Sequence, residues 1–370
     1  MLPIQVIVKY CDPSSGGEGV AFRFCEYLQR NDIPFSMVCG RKKIASTPFD
    51  EHIVSLGMLR PTRLIKYSSF FNRAANYIRS HEGLSFSFEY VVGTQILRMT
   101  SVHELFLQKS LEGMPEAARR KKQAQRKRNP YNHYLPWQEK RVITHPNLQQ
   151  IITPSHMTKA EVVETYPFLQ NNISVIHNGI NPSRFTPPTP EEKNAARQSL
   201  LTSQKCKTVI GYAGNNFERK GLSHCIASLR TLTDAILLIA GSDTPDKYQQ
   251  QARQLGVEDR TIFLGHQKDM RTFFHAIDVF CLPTRYDPFG LVFSEAIACD
   301  VPTVATTHAG GAEIIQEGIS GYIVDSISDA TVTEAIHKAS LLSGENISST
   351  VPTEEDMFAS YLAVAQSIMP

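Results

Sequence analysis

The sequence predicts an α/β protein made of two doubly wound domains that face each other across a cleft. Short apolar segments alternate with helical segments along most of the chain, and repeated strand–helix units form parallel sheets with helices on both faces. A stretch rich in proline, HNGINPSRFTPPTPEE, interrupts this alternation near the middle. We therefore expect a first domain at 1–182, a second at 183–352, and a final helix at 353–370 that crosses back to the first domain.

The strands are easiest to place in the second half of the chain. The strand-like segments there are KTVIGYAG, AILLIAG, RTIFLGH, AIDVFCLPT and VPTVATT. The first half alternates less regularly, through IQVIVKY, PFSMVCG, EYVVGTQ, LQQIITPS and NISVIHNG. Ligands of such sheets lie beyond the carboxyl ends of the strands, so the cleft between the domains is the expected site.

Composition and charge narrow the possible settings and partners. The 370 residues include seven cysteines, an odd number without metal-type spacing, which favours a reduced, cytoplasmic protein. No apolar run approaches the roughly 20 residues of a membrane span, and MLPIQVIVKY is typical of a first strand rather than a signal peptide. Residues 1–180 contain 23 Lys and Arg against 14 Asp and Glu, whereas residues 181–370 contain 15 against 22. The basic half predicts an anionic partner: a membrane surface, an acidic acceptor or nucleic acid.

The basic residues are concentrated in one segment, 109–141. Seven of its residues are basic within the ten positions 119–128, and no acid interrupts them. They are Arg119, Arg120, Lys121, Lys122, Arg126, Lys127 and Arg128. Tyr131, Tyr134 and Trp137 follow, and such side chains suit a membrane interface. We expect this segment to contact the anionic inner face of a membrane; a flexible solvated loop, or one that attracts RNA, is the alternative.

Two carboxylates surround a tight apolar turn in LPTRYDPFGLVFSEAIAC. Asp287 is predicted in the loop after a strand, and Glu295 about one turn inside the next helix. The amides of Phe289, Gly290 and Leu291 would be unpaired at that helix start, which favours phosphate. Phosphate would repel the acids, which can instead accept hydrogen bonds from hydroxyls. Phosphate flanked by diols describes a nucleotide sugar; a helix cap plus a surface glutamate is the alternative.

Two further loops could approach a phosphate. CDPSSGGEGVAFRF follows the first strand, and its Gly16 and Gly17 would allow close contact with backbone amides. YAGNNFERKGLSH carries Arg219 and Lys220, which could neutralise a diphosphate or simply be solvated. His103 lies in RMTSVHELFL in the first domain, where a structural role is the alternative to a catalytic one.

Together and in this order, these motifs resemble the retaining glycosyltransferases of family 4, which have the GT-B fold of two facing Rossmann-like domains. The resemblance covers nearly the whole chain. Its most specific part, residues 284–323, resembles the family's Glu-x7-Glu motif, with Asp287 in place of the first Glu. ISVIHNGIN and YAGNNFERKGL are also typical. A narrower similarity, carried by SVHELFLQKS, NPYNHYLPWQEKR and LQQIITPSHMTKAEVVETYP, is to the lipopolysaccharide-core α-glucosyltransferase branch, whose basic insert acts at the inner membrane face.

The resemblance assigns most of the donor site to the second domain. It implies that Glu295 holds the ribose hydroxyls and that Asp287, as a catalytic residue, holds the donor sugar. Lys220, with Arg219, would balance the phosphates. The amides that would bind the sugar or diphosphate are those of Phe289, Gly290 and Leu291.

The first domain would supply the remaining site residues. The resemblance implies that Gly17, with Gly16, closes on the phosphates and that His103 is a catalytic residue near the reacting carbon. It also implies that neither a metal nor a cofactor is needed. Two positions depart from the family: Asp287 is one methylene shorter than Glu, and Asn215 stands where many relatives have Arg.

The predicted function is a metal-independent, retaining sugar transferase. Its donor would be a nucleotide sugar. The expectation that this donor is a UDP-sugar is taken from the related family members. Its acceptor would be a lipopolysaccharide-core or other lipid-linked glycan at the cytoplasmic membrane face, where the protein would be peripherally bound. A GT-B epimerase or phosphorylase, and a protein that only binds a nucleotide sugar or nucleic acid, are the alternatives.

Overall fold

A computed structural model describes residues 2–14, 16–112, 114–201 and 207–369 of the chain. Two separate parallel sheets form its framework. Each sheet has helices on both faces, so the predicted fold class is confirmed. No helix in the described part of the chain has the length and apolarity needed to cross a bilayer.

The first sheet has seven strands in the order β3-β2-β1-β4-β5-β6-β7, and all its pairings are parallel. Its strands are β1 (Ile4–Cys11), β2 (Phe35–Lys42), β3 (Ile53–Ser55), β4 (Leu84–Ser87), β5 (Ile96–Arg98), β6 (Gln150–Thr153) and β7 (Ile173–Val175). Its helices are α1 (Gly16–Arg30), α2 (Arg63–Ser80), α3 (His103–Lys109), α4 (Glu116–Lys127), α5 (Pro130–Ile143) and α6 (His156–Thr165). The central strands β1, β4 and β5 are almost fully buried because helices cover both faces of the sheet.

The second sheet has six strands in the order β10-β9-β8-β11-β12-β13. They are β8 (Thr208–Ala213), β9 (Ala235–Ala240), β10 (Thr261–Gly265), β11 (Val279–Cys281), β12 (Thr303–Thr306) and β13 (Gly321–Val324). The helices here are α7 (Pro190–Leu200), α8 (Leu222–Ser228), α9 (Asp246–Gln254), α10 (Met270–Ala276), α11 (Leu291–Ala298) and α12 (Asp329–Ser340). The apolar runs seen in the sequence form the centre of this domain's core.

One predicted strand is wrong. The segment EYVVGTQ at 89–95 forms a turn, with Gly93 at a φ of 94°. Val91 is nevertheless completely buried, so an apolar, β-branched run here reflects burial rather than strand geometry. The strands of this region lie on either side, in β4 and β5, and the short strands β3 and β13 also lacked a clear sequence pattern.

The last helix, α13 (Glu354–Ser367), lies against the first domain. Its side chains Met357, Phe358 and Tyr361 are buried in the same core cluster as β1 and α1. The Nε atom of Arg98 donates to the Tyr361 hydroxyl at 2.8 Å. This packing attaches the end of the second half of the chain to the first domain.

Candidate active site

The loop at 284–290, called here the donor loop, is held rigidly at the carboxyl end of β11. The amide of Asp287 donates to the His308 carbonyl at 3.0 Å, and the amide of Gly310 donates to the Asp287 carbonyl at 2.9 Å. Gly290 then begins α11 with a φ of 80°, and no side chain caps the helix. A helix start without a side-chain cap presents amides that can bind an anion, as the sequence predicted for Gly290 and Leu291. The prediction for Phe289 needs correction, because its amide donates to the Asp287 carboxylate at 3.4 Å.

Asp287 and Lys220 form an ion pair in the cleft. The Lys220 Nζ lies 3.2 Å from an Asp287 carboxylate oxygen, and the two side chains are 12% and 13% exposed. Gly214, just after β8, makes room for this lysine, because a Cβ there would lie 2.7 Å from the Lys220 Cδ. The structure therefore brings together two predicted site residues that lie far apart in the sequence.

Arg219 binds the protein's own backbone. Its guanidinium donates to the Tyr286 carbonyl in the donor loop, and its carbonyl accepts from the Arg285 amide at 2.9 Å. This arrangement positions the donor loop and leaves Lys220 as the cation beside Asp287. The division of roles between two adjacent cations was not visible in the sequence.

Glu295 faces a cavity of about 260 Å³ between the domains. The cavity is also lined by Leu291 of α11 and, from the other domain, by Pro13 and Arg23. Burial raises the pKa of Glu295 to about 7, against the opposing influence of Arg184, Arg23 and Lys220. A half-buried carboxylate that faces an interdomain cavity can accept hydrogen bonds from a ligand diol, as predicted for the ribose.

The predicted glycine turn comes shortly after Pro13, which lines this cavity from the first domain. Gly16 and Gly17 are the first residues of α1, and a Cβ at either position would meet nothing within 4 Å. Pro13, three and four residues earlier, shares the cavity with Glu295. The structure thus places the start of α1 where a donor held by α11 could be contacted from the first domain.

His103 is the first residue of α3, and its amide donates to a Glu139 carboxylate oxygen at 3.0 Å. Burial, followed by the charges of Arg63 and Arg126, lowers the pKa of His103 to about 4. Its buried Nε2 has no hydrogen-bond partner among the described residues. One turn further along α3, the Phe106 ring lies 5.9 Å from that of Tyr286 in the donor loop. His103 is thus a neutral imidazole whose Nε2 is unused but enclosed by protein, so a ligand could reach it only if neighbouring side chains move.

Several interdomain contacts were not predicted from the sequence. The Tyr286 hydroxyl donates to Glu161 of α6 at 2.8 Å, and Lys109 of α3 donates to the same carboxylate at 2.7 Å. Glu161 is 3% exposed. Glu313 reaches in the opposite direction and accepts from the amides of His156 and Met157 at 2.8 Å each. Neither glutamate had a recognisable local signal, because their partners lie far away in the chain.

Glu313 also belongs to a group of potential metal ligands. Ligand atoms of His156, His177 and Glu313 all lie within 4.8 Å of one another. The carboxylate is already used, since it accepts the two α6 amides and lies 2.9 Å from the His177 Nε2. In this arrangement Glu313 joins the two domains without requiring an ion.

The basic segment forms the helices α4 and α5. Arg119, Arg120, Lys121, Lys127 and Arg128 are exposed, Lys122 is half-buried, and Trp137 is 54% exposed. Two expectations need correction. Arg126 donates to the Leu107 carbonyl and the Ser110 hydroxyl, and Tyr131 is buried with Phe70 and Phe71. Neither side chain is free for a membrane, because each packs against the first domain.

Two family models match the chain on either side of the proline-rich stretch. The model for Glycosyltransferase Family 4 matches residues 14–184, and the model for glycosyl transferases group 1 matches residues 193–348. The chain belongs to glycosyltransferase family 4. The family assignment predicted from the motifs taken together is confirmed.

Glycosyltransferases are among the relatives of the chain. An uncharacterised glycosyltransferase of Methanocaldococcus jannaschii is 32% identical over 179 residues, which is 46% of each chain. A D-inositol 3-phosphate glycosyltransferase of a Mycobacterium species (strain KMS) is 28% identical over 48% of this chain and 41% of its own. The chain thus aligns with less than half the length of these curated relatives.

Solved structures share the whole fold. WaaG, a glycosyltransferase involved in lipopolysaccharide biosynthesis, superimposes with a TM-score of 0.76 at 16% identity and covers 99% of both chains. Anabaena HepE, solved in complex with UDP and glucose, gives a TM-score of 0.74 at 16% identity over the full length of both chains. At this identity the likeness establishes the GT-B fold of family 4.

Proposed function

We propose that this family 4 protein transfers a sugar from a nucleotide-sugar donor to a glycan acceptor. The observation that carries the proposal is the pair of facing elements in the cleft. Leu291 and Glu295 of α11 lie on one side, within reach of the Lys220 charge, and Pro13, just before the open glycine start of α1, lies on the other. Amides and a lysine suit a diphosphate, and carboxylates suit sugar hydroxyls.

The donor is proposed to be a UDP-sugar. A diphosphate leaving group develops negative charge as the sugar bond breaks, so stabilising that charge is the main catalytic requirement. Lys220 and the α11 amides would stabilise this negative charge without a metal. Asp287 would then hold a sugar hydroxyl, assisted by its pairing with Lys220. The UDP and glucose bound to the similarly folded HepE support this choice of donor.

Retention of the anomeric configuration is part of the proposal. The reacting carbon gains oxocarbenium character, as in glycoside hydrolysis. The acceptor would attack from the side of the departing diphosphate, which would take its proton. Closure of the cleft would keep water away from the donor, and the contacts made by Glu161 and Glu313 suit such a closed arrangement.

Glu295→Gln tests the donor site. Loss of a hydrogen bond to a charged group should weaken UDP-glucose binding by roughly ten- to hundredfold. Because the pKa of Glu295 is about 7, wild-type affinity should rise from pH 6 to 8 as the carboxylate ionises, and the variant should lack this rise. Calorimetry at several pH values measures both effects.

A stability measurement shows whether the variant is folded. The folded-state pKa of Glu295 lies above its ordinary value, so its ionisation lowers the stability of the fold as the pH rises toward and through 7. Glu295→Gln should therefore raise Tm at pH 8. Glu334→Gln, at an exposed position on α12, is the matched control. Unchanged UDP-glucose affinity in Glu295→Gln would remove the basis of the proposed function.

The acceptor is proposed to be lipid-linked, with a lipopolysaccharide core as one such acceptor, at the cytoplasmic membrane face. The exposed cations of α4 and the exposed Trp137 support this. The role of WaaG in lipopolysaccharide biosynthesis supports the choice of acceptor class. Each cation near an anionic surface contributes roughly 1 kcal/mol, so the five fully exposed cations could together bind a membrane.

Sedimentation with liposomes tests the membrane contact. Changing the five exposed cations to Gln should abolish pelleting with anionic vesicles and leave UDP-glucose affinity unchanged. They are Arg119, Arg120, Lys121, Lys127 and Arg128. Arg126 is kept because it bonds to the Leu107 carbonyl. Equal pelleting of the wild type with neutral and anionic vesicles, or none with either, would contradict the membrane role.

A further inference from the structure

A cluster of cations on aromatic rings lies at the carboxyl edge of the first sheet, outside the donor site. It consists of the rings of Tyr10, Tyr67 and Tyr131 and the cations Lys43, Arg63 and Lys66, and is called here the edge cluster. Tyr10 is near the end of β1, Lys43 directly follows β2, and Arg63 begins α2. The carboxyl edge of a parallel sheet is where ligands of doubly wound domains lie.

Each cation of the edge cluster lies over an aromatic ring. The Arg63 guanidinium lies 4.3 Å from the centre of the Tyr131 ring, and the Lys43 Nζ lies 4.2 Å from that of Tyr10. The Lys66 Nζ lies 5.1 Å from the Tyr10 ring and 5.6 Å from the Tyr67 ring. A guanidinium stacked on a ring keeps its N–H groups available in its plane, in the geometry that binds phosphate or carboxylate with two hydrogen bonds.

The positive charge of the cluster is only partly balanced by the protein. Lys43 pairs with Asp12 at 2.9 Å, and the neighbouring Lys9 pairs with Glu89 at 3.2 Å. Within the described ranges, neither Arg63 nor Lys66 forms a salt bridge. They lie three residues apart in the first turn of α2, where like charges repel and the helix dipole is also positive. A bound anion would remove this repulsion.

The cluster adjoins His103. The Tyr131 ring, which carries Arg63, lies 6.5 Å from the His103 ring. Arg63 is also one of the charges that disfavour the protonated form of that histidine. An anion bound at Arg63 and Lys66 would therefore sit in the first domain beside the residue expected near the reacting carbon, on the side from which an acceptor would approach.

We propose that the edge cluster binds an anionic group, phosphate or carboxylate, carried by the acceptor sugar. This inference rests on the proposed function, because it specifies the chemistry of the acceptor. Arg63 would bind the anion with two hydrogen bonds, and Lys66 would add charge and a third donor. The acceptor would thus be an acidic or phosphorylated glycan rather than a neutral one.

The test is calorimetry on the full chain saturated with UDP, so that the diphosphate site is occupied. The probes are glucose 6-phosphate, glucuronate, glucose and inorganic phosphate. Glucose 6-phosphate and glucuronate should bind at least tenfold more tightly than glucose. Arg63→Ala and Lys66→Ala should each weaken these two by roughly ten- to hundredfold, and Arg63→Lys should recover only part of the affinity.

Arg79→Ala is the matched control, because Arg79 is an arginine of the same helix in its last turn. It should leave the affinity of every probe unchanged. Equal losses in Arg79→Ala, retained binding in Arg63→Ala, or anionic probes that bind no better than glucose would overturn the proposal. Inorganic phosphate that binds as tightly as glucose 6-phosphate would indicate a free-phosphate site and overturn the assignment to an acceptor sugar.

The experiment distinguishes failure of this inference from failure of the proposed function. UDP-glucose affinity is measured in the same variants and should be unchanged. If UDP-glucose binding depends on Glu295 but the affinity of the anionic sugars does not depend on Arg63, this inference fails and the transferase proposal stands. If the sugars bind through Arg63 and UDP-glucose does not bind, the transferase proposal fails instead.

Discussion

Lys220→Met is expected to lower kcat/KM for UDP-glucose by roughly a hundredfold or more. The substitution keeps the aliphatic stem that packs on Gly214 and removes the charge proposed to face the departing diphosphate. Losing one group that stabilises such a developing charge typically costs 10²- to 10³-fold in rate. The effect is measured as the rate of UDP release when UDP-glucose is hydrolysed in the absence of an acceptor.

The same substitution leaves Asp287 without its ion-pair partner. Both side chains are largely buried, so an unpaired Asp287 should also destabilise the fold. Lys220→Met combined with Asp287→Asn removes the uncompensated charge and should recover Tm without recovering activity. Lys247→Met, at an exposed lysine of the same domain, is the control. Near-normal turnover in the double variant would show that Lys220 has only a structural role.

His103→Ala should lower kcat by roughly a hundredfold while changing the Kd of UDP-glucose little. The reason is that a group acting on the transition state affects the rate more than ground-state binding. Its pKa of about 4 keeps the imidazole neutral at ordinary pH. Nε2 could then accept a hydrogen bond from a sugar hydroxyl once the side chains that enclose it have moved. Wild-type kcat should consequently show no step from this histidine between pH 6 and 8.

The control for this prediction is His81→Ala, at an exposed histidine directly after α2 in the same domain. The steady-state rate of donor hydrolysis gives kcat, and calorimetry gives the affinity for the donor. Unaltered kcat in His103→Ala would assign His103 to the structural role that the sequence left open. A loss of donor affinity equal to the loss of rate would place it in ground-state binding instead.

The sequence determined the fold class through local signals. Long apolar runs bounded by glycine and proline, such as AILLIAG and KTVIGYAG, can form only buried elements, and β8 and β9 lie where they predicted. The turn at 89–95 shows the limit of this reasoning. Its Val91 is as buried as a strand residue. A run of apolar residues therefore predicts burial, but it does not by itself predict strand conformation.

The donor side of the candidate site could also be located from the sequence, because its signals are local. A strand, a glycine turn and a helix start occur within a few residues at α1, between β8 and α8, and at the donor loop, and each turn lies at the carboxyl edge of a sheet. That was enough to single out Gly17, Lys220, Asp287 and Glu295. It was not enough to assign partners to them.

Only the tertiary structure decided those partners. Asp287 pairs with Lys220, Tyr286 bonds to Glu161, and Arg63 lies on Tyr131, all across long separations in the chain. Whether a charge is paired, buried or free depends on which distant segments the two sheets and the returning helix α13 bring together. Short-range periodicity carries no information on such pairs, because their energy comes from desolvation and charge at contacts that exist only in the folded chain.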